Sequence, residues 1–139
     1  MATTVIGRWE QAGAKLTALG EEFPADAYES ALVDGIRTVG DVLRHVAFWN
    51  IYVGDVMRGK NADDSGNELP KAEYADKKSV LEALGRSVTD SAQALKERAA
   101  WDAKTIETVL SFLEHTSEHY GQLVVYARMK GIVPPASRV

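Results

Sequence analysis

Residues 105–131 read TIETVLSFLEHTSEHYGQLVVYARMKG and predict one long amphipathic helix. Apolar residues recur at steps of three and four along this stretch, and Gly131 is a suitable end. Two of the three histidines of the chain, His115 and His119, stand four positions apart. This spacing places both imidazoles on one face of the helix, about one turn apart, where they can reach a single metal ion.

Three further stretches carry helical periodicity, and no stretch shows the alternating pattern of a strand. The predicted helices run approximately over Thr4–Leu19, Thr38–Gly59 and Lys77–Arg98. Thr38 is a candidate N-cap, and Asp41 is placed to complete a capping box. Four amphipathic helices bury their apolar stripes against one another. The sequence therefore predicts an all-α four-helix bundle that forms a single domain over residues 1–139.

The connection between the second and third predicted helices is long and polar. Residues 59–76 read GKNADDSGNELPKAEYAD, lack apolar periodicity and contain Gly66 and Pro70. This long helix 2–helix 3 connection departs from a minimal up-and-down bundle, and loops of such length are often mobile or functional. We therefore expect it to shape substrate access to any site on the neighbouring helices.

The third histidine, His45, lies on the predicted second helix. If the bundle brings His45 to His115 and His119, three imidazoles share one site and leave at least one open position on a bound metal. Neutral imidazole is a good ligand for zinc, nickel and iron. A simpler interpretation also exists, because paired histidines on a helix are often surface residues. A histidine close to Trp49 and Tyr52 is often a hydrogen-bonded core residue.

Polar neighbours of the histidines are candidates for secondary roles. Glu118, three positions after His115, is a candidate general base or a hydrogen-bond acceptor for a ligand, although a solvated surface acid is an equally good interpretation. Gln122 could donate a hydrogen bond to a bound substrate. Asp41 lies one turn before His45 and could orient that imidazole, but we expect it to act as a helix cap. No residue is assigned a catalytic role from the sequence.

Composition excludes several classes of function. The net charge is -4 and no basic block is present, so a nucleic-acid partner has little electrostatic support. The absence of cysteine excludes disulfide bonds, thiolate metal sites and a cysteine nucleophile. No apolar run is long enough to span a bilayer, and polar residues interrupt the N-terminal stretch before a signal-peptide core forms. We therefore expect a cytoplasmic protein with neither a membrane nor a nucleic-acid partner.

Two blocks of the sequence resemble a known family. The stretch HTSEHYGQLVVYARMKGIVPPAS, residues 115–137, resembles the C-terminal signature of the DinB-like (DinB/YfiT) superfamily, and RTVGDVLRHVAFWN, residues 37–50, resembles its first histidine helix. The signature has two histidines four apart, a Gly-Gln-Leu step, an aromatic residue two before an arginine, a glycine and a Pro-Pro-x-Ser tail. The matching positions after the first histidine are His119, Gly121, Gln122, Leu123, Tyr126, Arg128, Gly131, Pro134, Pro135 and Ser137.

The resemblance implies a four-helix bundle and a divalent metal held by a histidine triad, which maps onto His45, His115 and His119. Zinc is the first expectation for this metal, with nickel or iron as alternatives. Family members of known activity include thiol-dependent transferases and isomerases that use bacillithiol or mycothiol. The resemblance therefore implies a metal-dependent enzyme, in first place a low-molecular-weight-thiol S-transferase with a small-molecule substrate. A metal-dependent hydrolase and a non-enzymatic, stress-related module that binds metal or a small ligand are the alternatives.

The last predicted helix also carries two features that favour self-association. Gly121 lies mid-helix, where glycine costs roughly 1 kcal/mol relative to alanine, and a close helix contact within the bundle or across a dimer would justify it. Val125 is apolar although it lies on the predicted solvent side. Because family members are commonly homodimers, we expect a homodimer here.

Overall fold

The computed structural model describes all 139 residues and contains four α-helices and no strand. The helices are α1 Ala2–Glu22, α2 Val39–Met57, α3 Lys77–Glu97 and α4 Ala103–Met129, and two short 3-10 helices occupy Ala25–Ala27 and Pro135–Ser137. The predicted all-α bundle of four helices is confirmed, as is the long connection between α2 and α3. None of the helices combines the length and the apolar character needed to cross a bilayer.

Side-chain caps fix where three of the helices begin. At the start of α2, the hydroxyl of Thr38 accepts a hydrogen bond from the Asp41 amide at 3.0 Å, and the Asp41 carboxylate accepts one from the Thr38 amide at 3.3 Å. This reciprocal pair is the predicted capping box. Asp76 forms an equivalent box at α3, and Asp102 caps α4. The caps satisfy amide groups that have no partner within the helix.

The first helix extends beyond its predicted end at Leu19 and continues to Glu22. Gly20, which follows the predicted end and is a residue type that commonly terminates helices, therefore lies within the helix. A Cβ atom at this position would lie 3.0 Å from Leu43 and 3.1 Å from Leu81. The glycine thus allows α1 to pack closely against α2 and α3, which is a tertiary role that a local pattern does not reveal.

The interior contains two apolar clusters, and every helix contributes to both. The larger cluster includes one fully buried leucine from each helix, namely Leu16, Leu43, Leu84 and Leu123. The smaller cluster includes Trp9, Val53, Leu95 and Val109. Helix α2 packs against α3 and α4, and α1 packs against the same two helices. The α2–α4 contact brings the histidines of the two helices together.

Candidate metal centre

The three histidines converge between α2 and α4. The Nε2 atom of His115 lies 2.8 Å from the Nε2 atom of His45. The ring centroid of His119 lies 4.8 Å from that of His45 and 4.6 Å from that of His115. One nitrogen from each ring can be chosen so that all three lie within 4.8 Å of one another. The structure therefore brings together all three histidines that the sequence singled out.

The helices determine this arrangement. His45 lies between the fully buried residues Arg44 and Val46 on α2, and only 8% of His45 is exposed. His115 and His119 lie on one face of α4 because four residues make about one helical turn. Both are partly buried, as expected for residues at the border between a helix contact and solvent.

A backbone carbonyl fixes the orientation of the His45 ring. The Nδ1 atom of His45 lies 2.6 Å from the carbonyl oxygen of Asn67, in the α2–α3 connection. A carbonyl oxygen only accepts hydrogen bonds, so Nδ1 carries the hydrogen in the neutral ring. The Nε2 atom then keeps its lone pair and faces the other histidines. Sequence reasoning missed Asn67, because every residue has a backbone carbonyl and no local pattern marks this one.

The His119 ring is held in a similar way from its own helix. Its Nδ1 atom lies 2.8 Å from the side-chain oxygen of Gln122, and the Gln122 amide nitrogen donates to the Tyr126 hydroxyl at 2.8 Å. The steps of three and four place these residues along one face of α4. Gln122 thus lies at the site, but its amide orients His119 where the sequence suggested a donor to substrate. Tyr126, which closes this chain of hydrogen bonds, is buried.

Burial keeps the imidazoles in the form that can bind a metal. Desolvation lowers the pKa of His45 below its ordinary value and lowers that of His115 to about 4. The hydrogen bond to the Asn67 carbonyl opposes this shift at His45, whereas charge repulsion from Arg37 and His119 adds to it. At His115, charge repulsion from His119, His45 and Arg37 lowers the pKa further. Both rings are therefore neutral near pH 7, and a neutral imidazole nitrogen is what a metal ion requires.

The two acidic neighbours do not take part in this cluster. Asp41 caps α2 and binds Arg44, with 2.7 Å between the carboxylate oxygen and the guanidinium nitrogen. Its predicted cap role is therefore confirmed. Glu118 is exposed and lies outside the group of convergent nitrogen atoms. The structure thus favours the interpretation of Glu118 as a surface acid.

The family model of the DinB superfamily matches residues 8–126. The chain belongs to the DinB superfamily. The match covers most of the chain and includes His45, His115 and His119. No curated protein matches the chain. Family membership and the histidine triad together fit a metal-binding protein, and they leave the identity of the metal open.

The donor set of this DinB-superfamily protein suits a divalent metal. Three imidazoles supply the nitrogen ligands that zinc, nickel and iron accept. Two of the rings, His45 and His119, have their Nδ1 atoms engaged by an oxygen acceptor, which is the outer hydrogen bond typical of metal-binding histidines. No carboxylate belongs to the cluster, so a bound ion would keep an open position.

An aromatic cleft adjoins the triad. The rings of Trp49 and Phe112 stack with 5.5 Å between their centroids, and Phe112 lies 5.9 Å from the His115 ring. The cleft has a volume of about 350 Å³ and is lined by Trp49, Tyr52, Asp64, Glu107, Thr108, Ser111 and Phe112. A larger cavity of about 770 Å³ lies beside α3. We associate the smaller cleft with the histidine site because Phe112, which lines it, lies against the His115 ring.

Proposed function

We propose that this DinB-superfamily protein is a divalent-metal-dependent low-molecular-weight-thiol S-transferase, which joins the intact thiol through its sulfur to a small-molecule substrate as the thiol loses its proton. Zinc is the first candidate for the metal, with nickel and iron as alternatives, and a cytoplasmic location is part of the proposal. The observation that carries it is the convergence of three imidazoles from two helices. A bound divalent ion would supply Lewis acidity there and would favour the thiolate form of a substrate sulfur.

The number of protein ligands supports a catalytic site more than a structural one. Structural zinc sites usually have four protein ligands, whereas catalytic sites have three and an open position. The chain has no cysteine, and Glu118 lies outside the cluster. The geometry therefore does not favour a closed four-ligand site made of a carboxylate together with His45, His115 and His119. The open position would also accept water, which keeps metal-dependent hydrolysis as the alternative reaction.

Residues of the chain would perform three tasks in such an enzyme. The histidines bind the ion, while Asn67 and Gln122 orient two of the rings. The stacked rings of Trp49 and Phe112 exclude water from one side of the site and offer an apolar surface to the organic part of a substrate. The Ser111 hydroxyl, one turn before His115, lies in the same cleft and can contact polar substrate groups.

A cobalt-substituted protein tests the thiol part of the proposal. Addition of 2-mercaptoethanol should produce a sulfur-to-cobalt charge-transfer band in the near-ultraviolet spectrum, because the thiolate would bind at the open position. Ethylene glycol, which has a hydroxyl in place of the thiol, should produce no such band. A His115→Ala variant treated with cobalt serves as the second control. An unchanged spectrum of the cobalt protein over saturating thiol concentrations would overturn the thiol proposal and leave hydrolysis as the reaction to test.

We also propose that the protein is a homodimer that associates through the outer face of α4. Val125 is 57% exposed and Met129 is 58% exposed on this face. A Cβ atom built at Gly121 meets no atom within 4 Å, so no contact within the chain accounts for this mid-helix glycine. Sedimentation should give twice the 15.2 kDa chain mass, and Val125→Asp should give a monomer. Val33→Asp, at an exposed apolar residue outside α4, is the control, and a monomeric wild type would contradict the proposal.

A further inference from the structure

Four consecutive residues of the α2–α3 connection, Gly66 to Leu69, lie against α2. They also contact Arg37, which directly precedes the N-cap of that helix. We refer to residues 66–69 as the strap. The Leu69 amide donates to the Arg44 carbonyl at 3.3 Å, and the Glu68 carboxylate pairs with Arg37 at 3.2 Å. The remaining two strap residues contact the face of α2 that carries His45. Most of the surrounding loop is exposed, so these contacts fix a short segment within it.

Gly66 allows the strap to approach the helix closely. A Cβ atom at this position would lie 3.2 Å from the Phe48 ring, which is tighter than an ordinary van der Waals contact. The absence of a side chain therefore lets the backbone of the strap lie directly on an aromatic ring of α2. This close approach brings the next residue, Asn67, within hydrogen-bonding distance of the helix.

Asn67 contacts two α2 residues that stand one turn apart. Its backbone carbonyl accepts a hydrogen bond from Nδ1 of His45 at 2.6 Å. Its side-chain oxygen accepts one from the indole nitrogen of Trp49 at 3.0 Å. The side-chain bond holds the residue in place, and the backbone bond acts on the imidazole. One loop residue thereby connects the aromatic cleft to the histidine cluster.

The carbonyl determines which nitrogen of His45 is free. A neutral imidazole carries a single ring hydrogen, and an acceptor at Nδ1 retains that hydrogen on Nδ1. The lone pair then lies on Nε2, which faces His115. Without the carbonyl, the Nε2–H tautomer becomes populated, and its hydrogen would occupy the position where a ligand lone pair is needed.

We propose that Asn67 is a positioning residue of the histidine cluster: it holds His45 in the tautomer and orientation that can bind a metal. The metal part of this inference rests on the proposed function. Its structural part, the effect of Asn67 on the His45 tautomer, concerns the metal-free protein. Docking of the strap and binding of a metal are consequently coupled, and each favours the other.

The experiment uses Asn67→Ala and Trp49→Phe, which remove opposite ends of the same side-chain hydrogen bond. Asn61→Ala is the matched control, since Asn61 is an exposed residue of the same loop and lies outside the strap. Long-range ¹H–¹⁵N spectra of the metal-free proteins report the His45 tautomer. Wild type and Asn61→Ala should show the Nδ1–H form, whereas both test variants should show a mixture that includes the Nε2–H form.

Zinc affinity, measured by competition with a chelator, provides the second readout. Loss of an outer hydrogen bond to a ligand typically weakens metal binding 10- to 100-fold, so we expect a loss of roughly tenfold in each test variant. The double variant should bind zinc no more weakly than either single variant, because both changes break one bond. Thermal unfolding of all variants checks that they are folded.

The outcomes separate this inference from the proposed function. A wild-type His45 in the Nε2–H form, or test variants that retain the wild-type tautomer, would overturn the positioning role. A changed tautomer with unchanged zinc affinity would overturn its connection to the metal. If wild type binds no metal but the tautomer responds as described, the proposed function fails and the positioning of His45 by Asn67 stands.

Discussion

The Nε2 atoms of His45 and His115 lie 2.8 Å apart, although 70 positions separate the two residues along the chain. One hydrogen must lie between the atoms, since two facing lone pairs would repel each other. His45 carries its ring hydrogen on Nδ1, which bonds the Asn67 carbonyl, so His115 is the donor of the pair. The same two nitrogen atoms would be ligands of a shared metal ion. A proton and a metal ion therefore compete for their lone pairs.

The stability of the metal-free protein should fall as the pH decreases below about 6.5. The pKa of His115 is about 4 in the folded protein and close to its ordinary value of 6.5 in the unfolded chain. Between these values the unfolded chain binds more protons, so acidification favours unfolding. The pKa of His45 is lowered in the same direction. Urea unfolding in the presence of a chelator, at several pH values from 7.5 to 4.5, measures the effect.

A His115→Asn variant is the control for this pH dependence. It removes the titrating group that has the largest pKa shift of the cluster, so its free energy of unfolding should depend less on pH between about 6.5 and 4.5. Carboxylates such as Glu29, whose pKa is lowered by its hydrogen bonds to Arg44 and Lys71, lose their contribution at lower pH in both proteins. If the free energy of unfolding changed with pH equally in wild type and variant over this window, the assignment of a buried neutral His115 would be contradicted.

Replacement of Arg44 by methionine should destabilise the protein by about 2–4 kcal/mol. The Arg44 side chain is fully buried and donates to Glu29 at 2.7 Å, to the Tyr74 carbonyl at 2.9 Å and to Asp41 at 2.7 Å. Removal of one partner of a buried ion pair typically costs 3–5 kcal/mol, and the partial exposure of both carboxylates reduces that figure. Urea unfolding provides the measurement.

Arg86→Met is the matched control, because Arg86 is exposed on α3 and forms no ion pair. This substitution should change the free energy of unfolding by no more than about 0.5 kcal/mol. A loss of less than 1 kcal/mol in Arg44→Met would show that the buried guanidinium contributes little to the fold.

Two glycines of α1 should respond to alanine in opposite directions. A Cβ atom at Gly13 would overlap Cγ1 of Val88, whereas a Cβ atom at Gly7 meets nothing within 4 Å. Gly13→Ala should destabilise the protein by about 1–2 kcal/mol, because α1 must move away from α3. Gly7→Ala should stabilise it by about 0.4–1 kcal/mol, because alanine restricts the unfolded chain and favours helix. Thermal or urea unfolding of both variants measures the direction of each stability change. If both variants were stabilised, or both destabilised, this description of the packing would be contradicted.

Local patterns were sufficient to predict the helices and the histidine pair. The 3.6-residue period of α4 places His115 and His119 on one face wherever the helix packs. The capping box of Thr38 and Asp41 was also predictable, because both partners lie within four residues. The approach of His45 to the pair was inferred from bundle geometry and from the family resemblance, and the structure confirms it.

Contacts between distant segments could not be predicted in the same way. The bond from His45 to Asn67 involves a backbone carbonyl in a loop without periodicity, so the sequence contains no local signal for it. Gly20 matches the pattern of a helix end, but its actual role is close packing against Leu43 and Leu81. In both cases the deciding contact comes from another element of the fold.

Elemental analysis of tag-free protein tests the central claim most directly. The wild type and a Glu118→Ala control should contain close to one divalent metal ion per chain, because the three imidazoles are intact in both. His45→Ala and His115→Ala should lose that metal, because each removes a ligand contributed by a different helix. Absence of metal from the wild type after anaerobic loading with zinc, nickel or iron, or its retention in both histidine variants, would contradict a metal centre at His45, His115 and His119.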